Sequence, residues 1–222
     1  MINKNLDRII KSIQEVTGNK KCSLHEPWFD KSEIKYLTKV IKSNSVSTYG
    51  GETVKFENEI KKFTGSKYAV ALINGSTALY LSLYLIGVNR DTEVLVPALN
   101  YIASANAVVQ LGGTPHFVDV EEQTLGPDVE KLDSYLSSKC KVINGFCYNK
   151  ETKKKIVAII VTHIFGHPAK IKDILRLCSK YKIELIEDAA EALGSLYHGK
   201  HVGYFGRAGV LSFNGNKIIT TG

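Results

Sequence analysis

No apolar run in the 222-residue sequence approaches the roughly 18 residues that a membrane-crossing helix needs. The N-terminal stretch MINKNLDRIIKSIQEV is charged and amphipathic and lacks the apolar centre of a secretion signal, so a cytoplasmic protein without a membrane partner is expected. Cysteine is scarce. Cys22, Cys140, Cys147 and Cys178 show neither metal-like spacing nor a disulfide-dense pattern, which argues against a zinc site or a disulfide scaffold and leaves buried or inert thiols. Internal repeats and low-complexity linkers are missing. So are GxGxxG and Walker-type loops, which argues against a dinucleotide or nucleoside-triphosphate site. Charge is not lacking: 29 Lys and Arg against 22 Asp and Glu give a net charge of +7. The basic residues are dispersed, however, and the one dense cluster, Lys150 and Lys153 to Lys155 in CYNKETKKK, reads as a solvated loop. That pattern suits a protein that binds phosphate-bearing small molecules better than one that binds nucleic acid.

Hydrophobic residues at 44% and charged residues at 23% are enough for one good-sized core. Strand and helix patterns alternate along the chain. Helices are expected over IKYLTKVIKS, VKFENEIKKF, STALYLSLYLIG, SANAVVQLGG, DVEKLDSYL and IKDILRLCSKY. Strands are expected over KYAVALI, EVLVP, TPHFVDV, KIVAIIVTH, KIELIED and AGVLSF. Continuous Val/Ile/Leu runs mark strands buried on both faces. Their alternation with helices predicts a three-layer α/β fold, a mixed and mainly parallel sheet flanked by helices. In such sheets the ligand sits beyond the carboxyl ends of the strands, so those ends are where chemistry is sought.

Four short segments answer that search. After KYAVALI comes Asn74, then Gly75, Ser76 and Thr77 at a helix start: a glycine for close backbone approach, two hydroxyls and free N–H groups, suited to phosphate. A plain N-cap by Ser76 is the alternative. After EVLVP, Tyr101 opens the next helix and could lie flat on an aromatic ligand or simply pack there. After KIELI, Asp188 is flanked by Glu187 and Glu191; it could hold a protonated ring nitrogen or cap a short turn. Acids so near a buried strand are costly unless something positive is close. After AGVLSF come Ser212 and Lys217, the latter either a nucleophile made reactive by partial desolvation or an exposed lysine in a turn. Jointly, a phosphate site, a flat aromatic, a strand-end aspartate and a loop lysine are the four elements of a pyridoxal 5'-phosphate site.

The segments NGSTALYLSL, PALNYIASANAV, GGTPHFVDV, HIFGHPAKI, IEDAAEALGS and SFNGNKIITTG resemble the DegT/DnrJ/EryC1/StrS family, pyridoxal-phosphate-dependent aminotransferases of nucleotide-linked keto sugars. The resemblance runs from about LHEPWF to the last residue. It implies the large-domain fold of these enzymes and gives each candidate a role. Lys217 is the catalytic lysine that joins the cofactor covalently. Asp188 partners the pyridine nitrogen, Glu191 lies near the phenolic oxygen and Tyr101 stacks on the ring. Gly75, Ser76, Thr77 and Ser212 surround the phosphate. His163 belongs to a strand-end motif whose role stays open.

A dehydratase branch of the family has histidine where Lys217 stands, so transamination is implied instead. SLHEPWF, INGFCYNKETKKK and SFNGNKIITTG resemble the legionaminic-acid-pathway branch. Its members aminate C4 of a UDP- or GDP-linked 2-acetamido-4-keto-6-deoxyhexose, with glutamate as the usual donor. Family members are homodimers and continue past TTG with the rest of the large domain and a small C-terminal domain. The resemblance therefore implies residues 1–30 as a helical arm and substrate-side segment, 31–222 as an incomplete cofactor-binding large domain, and either a fragment of a longer enzyme or an inactive remnant.

Overall fold

The computed structural model describes residues 2–18, 26–44, 46 and 50–221. Cys22 and part of SLHEPWF lie outside the described residues. Three helices come first: α1 (Ile2–Thr17), α2 (Lys31–Lys42) and α3 (Gly51–Thr64). Helix α2 starts at a reciprocal cap, in which the Asp30 carboxylate accepts the Ser32 N–H (2.6 Å) and Glu33 accepts the Asp30 N–H (2.8 Å). Helix α3 stops at Gly65, whose left-handed backbone (φ 74°) costs a glycine nothing.

The α/β unit follows in the order α4 (Gly75–Leu85), β1 (Thr92–Pro97), α5 (Ala103–Gln110), β2 (Thr114–Val118), α6 (Val129–Lys139), β3 (Cys140–Ile143), β4 (Phe146–Asn149), β5 (Lys155–Thr162), α7 (Ile171–Tyr181) and β6 (Glu184–Asp188). A small hairpin, β7 (Leu196–Tyr197) with β8 (Lys200–His201), and a last strand, β9 (Ala208–Val210), complete it. Strand β5 is central. It pairs in parallel with β1, which carries β2, and with β6, which carries β9; the antiparallel β3–β4 hairpin pairs with its first residues.

Alternation along the strands sorts side chains into two layers. Leu95, Ile159, Val161 and Leu185 pack against Leu132 and Leu136 of α6 and Ile171, Ile174 and Leu177 of α7. Val94, Val96, Ile160, Ile186 and Val210 pack against Leu79 and Leu83 of α4 and Ala107 and Val108 of α5. Each such Leu, Ile or Val side chain contributes about 1.5–3 kcal/mol by leaving water. Helix α7 buries Ile171, Ile174, Leu177, Cys178 and Tyr181, the stripe its helical spacing dictates. The architecture is the expected three-layer sheet with mainly parallel strands.

Three local expectations differ from the structure. KYAVALI is irregular, with Tyr68, Val70 and Ile73 at 73%, 73% and 87% exposure. A strand exists only through a neighbour's backbone groups, and among the described strands none pairs with this segment. Conversely, the CYN of CYNKETKKK is the end of β4, because Cys147 and Tyr148 pair with Ile156 and Lys155; only the lysine-rich turn after it is solvated. The last strand is shorter than AGVLSF and ends at Val210. The expectation of buried thiols holds for Cys140, Cys147 and Cys178, which are free and buried. Burial pushes the Cys147 and Cys178 thiols up to about 12, so they stay protonated and unreactive.

Candidate active site

The site is assembled at the start of α4 and where β1, β6 and β9 end. At the start of α4 the cap is Asn74, not Ser76: Asn74 Oδ1 accepts the Thr77 N–H at 2.8 Å. That leaves the Gly75 and Ser76 N–H groups without an acceptor among the described residues, and they point outward from a helix start. Ser212 faces them from beyond β9. A Cβ built on Gly75 would stand 3.4 Å from the Ser212 Cβ and 3.7 Å from its Oγ. Glycine thus keeps open a narrow gap between helix start and hydroxyl.

Asp188 ends β6 and is 4% exposed. Its Oδ1 accepts the Ala190 N–H at 3.2 Å and its Oδ2 accepts the Ser104 hydroxyl at 3.1 Å. The local-turn reading of the sequence is present through Oδ1, and the second carboxylate oxygen is held by a hydroxyl from the start of α5. Burial pushes its pKa up, opposed by those two hydrogen bonds and then by the charge of Lys217. The Lys217 ammonium reaches back to Glu191 at 2.9 Å. The Lys217 side chain is only 16% exposed, so it is not a free turn lysine. Its loop is pinned by the Lys217 N–H to the Asn214 carbonyl (2.9 Å) and the Thr221 N–H to the Phe213 carbonyl (2.9 Å).

Tyr101 stands on the loop before α5, 73% exposed, three residues ahead of the Ser104 that holds Asp188. The structure brings together Asp188, Glu191 and Lys217, and separately Gly75 and Ser212; it leaves the Tyr101 ring without an aromatic partner among the described residues. Ser104 escaped the sequence reading, although a serine at the start of SANAV, just after a strand end, was the available signal. Asn74 escaped it too, although an Asx residue three before a helical N–H is the usual cap pattern.

Glu187 and His163 point to the other face, as alternation requires. Glu187 accepts the Gly203 (2.8 Å), Phe205 (2.6 Å) and Gly206 (2.7 Å) N–H groups and meets His163 Nε2 at 3.2 Å. A cavity of about 580 Å³ opens at the opposite ends of the strands, lined by Phe146, Lys155, Lys182 and Arg207 among others. None of the candidate residues lines it, so size alone does not mark the chemistry.

The chemistry of the donors fits pyridoxal phosphate. Free helix-start N–H groups and the Ser76 and Ser212 hydroxyls suit a phosphate, and a buried carboxylate held by two neutral donors can take a protonated ring nitrogen. A three-layer α/β sheet with an aspartate ending β6 and a lysine in the loop after β9 is the arrangement expected of a pyridoxal-phosphate enzyme. Residues 27–222 match the DegT/DnrJ/EryC1/StrS aminotransferase family, and the chain belongs to it. Enzymes of this family depend on pyridoxal phosphate. The chain is 36% identical to a GDP-perosamine synthase of Escherichia coli O157:H7 over 90% of its own length and 50% of the relative's. Among solved structures it resembles an aminotransferase from Psychrobacter cryohalolentis (34% identity, TM-score 0.77, 89% of this chain and 47% of that one). It also resembles Helicobacter pylori PseC, an aminotransferase of pseudoaminic acid biosynthesis (28%, TM-score 0.74, 90% and 50%). The chain spans about half the length of the curated relatives it matches.

Proposed function

We propose that this chain forms the cofactor-binding part of an enzyme that transfers an amino group to a nucleotide-linked keto sugar. The observation that carries the reading is the meeting of Lys217 with Glu191 at 2.9 Å, close enough to Asp188 for the lysine's charge to act on that carboxyl. Pyridoxal phosphate, when bound, supplies an electron sink for the carbon that gains or loses a proton. The chain's own residues do the rest. Gly75, Ser76, Thr77 and Ser212 hold the phosphate, and Tyr101 covers the ring. Asp188 keeps the ring nitrogen's proton in place. Lys217 anchors the cofactor and carries the proton to and from the reacting carbon. Lysine at this position, where a dehydrating relative would have histidine, favours amino transfer.

Within that class, the reading extends to a UDP- or GDP-linked 2-acetamido-4-keto-6-deoxyhexose aminated at C4, with glutamate as donor, on a legionaminic-acid-type route. Its support is the resemblance of SLHEPWF and the INGFCYNKETKKK insert, together with relatives named for other amino sugars. Residues 31–222 are read as part of the large domain and 1–30 as an arm. A cytoplasmic homodimer goes with the reading.

The test is borohydride trapping. The chain is incubated with pyridoxal phosphate, reduced and mapped by mass spectrometry. A single phosphopyridoxyl adduct on Lys217 is the expected result. Scattered labelling or none, on a chain with a cooperative thermal transition, would overturn the reading in favour of an inactive remnant.

A further inference from the structure

We propose that His163 and Glu187 are a positioning pair that sets the register of β9 on β6, and so the distance from Asp188 to Lys217. The inference rests on the reading of these two residues as the cofactor's partners.

The pair lies in the α6–α7 layer, on the face of the sheet away from Asp188. Leu185 belongs to that layer and Ile186 to the other, so Glu187 follows the first and Asp188 the second. Both side chains of the pair are fully buried, at 0% exposure. A carboxylate there is costly where the neighbouring positions hold Leu and Val, unless donors surround it. Four donors do. Three are the Gly203, Phe205 and Gly206 N–H groups. The fourth is His163, and its hydrogen is assigned by the other ring nitrogen: Nδ1 accepts the Ala169 N–H at 3.2 Å, so Nε2 carries the proton that faces Glu187.

What this clamp holds is the loop that enters β9. A Cβ on Gly209 would lie 2.0 Å from the Gly203 carbonyl oxygen, and one on Gly206 would lie 2.5 Å from that of Leu185. Loop and strands therefore touch backbone to backbone, and the loop cannot shift without moving β9. Strand β9 in turn pairs Gly209 with Glu187 and Val210 with Asp188, and the next residues carry Ser212 and Lys217. His163 closes the frame through its own backbone, donating to the Asp188 carbonyl at 3.0 Å. A one-residue slip of β9 would take Ser212 from Gly75 and Lys217 from Glu191 together.

Two substitutions separate the halves of the imidazole. In His163→Asn the side chain can still accept from Ala169 but cannot reach Glu187. In His163→Gln it can donate to Glu187 but gives up Ala169. Hydrogen exchange, followed by mass spectrometry on the cofactor-free chain, should quicken in His163→Asn through 203–206 and onward through 208–217. Borohydride capture on Lys217 should fall by about 10–100-fold, the cost of a misplacement on the order of 1 Å. His163→Gln should stay near the parent in both. Faster exchange confined to 163–169, equal behaviour of the two variants, or equal loss of folding in both would overturn the proposal. Failure of the parent chain to form the Lys217 adduct would overturn the functional reading instead, and the exchange comparison would still decide whether the pair holds β9.

Discussion

Lys217 Nζ stands 2.9 Å from Glu191 Oε1 across 26 residues of sequence. The lysine side chain is 16% exposed and the glutamate 46%, so the pair is half in water and contributes less than about 1 kcal/mol. Its use is orientation. Glu191→Ala should leave the thermal transition within a few degrees of the parent and lower the yield of trapped adduct several-fold. Glu191→Gln, which keeps a hydrogen-bond acceptor, should lose less. Thermal denaturation and peptide mapping on the same samples check both.

Lys217→Arg separates charge from nucleophilicity. A guanidinium can keep the contact with Glu191, but it has no free lone pair at any accessible pH. The variant should therefore fold as the parent does and give no reduced adduct at residue 217. Turnover in the proposed amino transfer should fall by at least about 100–10,000-fold. Unaltered turnover would remove Lys217 from the chemistry.

Asp188 gives a pH dependence with a definite sign. Burial raises its pKa above the ordinary 3.8, so the folded cofactor-free chain binds this proton more tightly than the unfolded chain. Stability from this group is full below the ordinary carboxylate value and is lost as pH climbs to the raised folded value. Asp188→Asn carries no such charge, and the Ser104 hydroxyl can turn to accept from the new amide. The cofactor-free variant should melt higher than the parent at neutral pH, with the gap closing as pH drops from the raised folded value towards 3.8. In a chain of this size, each 1 kcal/mol moves the melting temperature by about 2–4 °C. Cofactor binding should fall at the same time. Melting curves from pH 3 to 8 test the sign.

Tyr101 is the opposite case, since its ring is 73% exposed and supports nothing in the described core. Tyr101→Ala should change stability by less than about 0.5 kcal/mol. Loss of ring stacking should weaken pyridoxal phosphate by about 2–10-fold, the equivalent of 0.5–1.5 kcal/mol. A fluorescence titration with the cofactor measures it.

The parallel strands and the helices of the α/β unit were legible because each is long enough for its period to show. Ile156 to Val161 is an unbroken apolar run, and α7 repeats its buried residues at helical spacing. Local pattern failed where pairing decides. The segment from Tyr68 to Ile73 has a strand's composition but finds no paired neighbour among the described strands. Phe146 to Asn149, too short and too close to lysines to read as a strand, becomes one by pairing with β5. Candidate residues of special type stood out: Asp188 at the end of a strand and Lys217 in the loop after the last one. Ser104 did not, because an ordinary serine becomes notable only when folding carries it across 84 residues to Asp188. Glu187 was read beside Asp188 as a second acid at the same place, yet strand alternation sends it to the other face.

Two glycine substitutions should separate fold from site. At Gly75 an added methyl meets Ser212 Cβ at 3.4 Å, a tolerable contact, and alanine is a better helix former than glycine. Gly75→Ala should keep or raise stability by up to about 1 kcal/mol. The same methyl occupies the gap between the helix-start N–H groups and the Ser212 hydroxyl, so pyridoxal phosphate should bind about 10-fold or more weaker, as displaced phosphate contacts of roughly 1.5–3 kcal/mol imply. At Gly209 the methyl would stand 2.0 Å from the Gly203 carbonyl oxygen and 2.5 Å from its carbonyl carbon. Backbone cannot rotate away as a side chain can. Gly209→Ala should therefore cost about 3 kcal/mol or more and lower the melting temperature sharply. Melting and cofactor titration of the two variants side by side give the result. If Gly75→Ala melts early, or binds the cofactor as tightly as the parent, the phosphate does not sit at the start of α4.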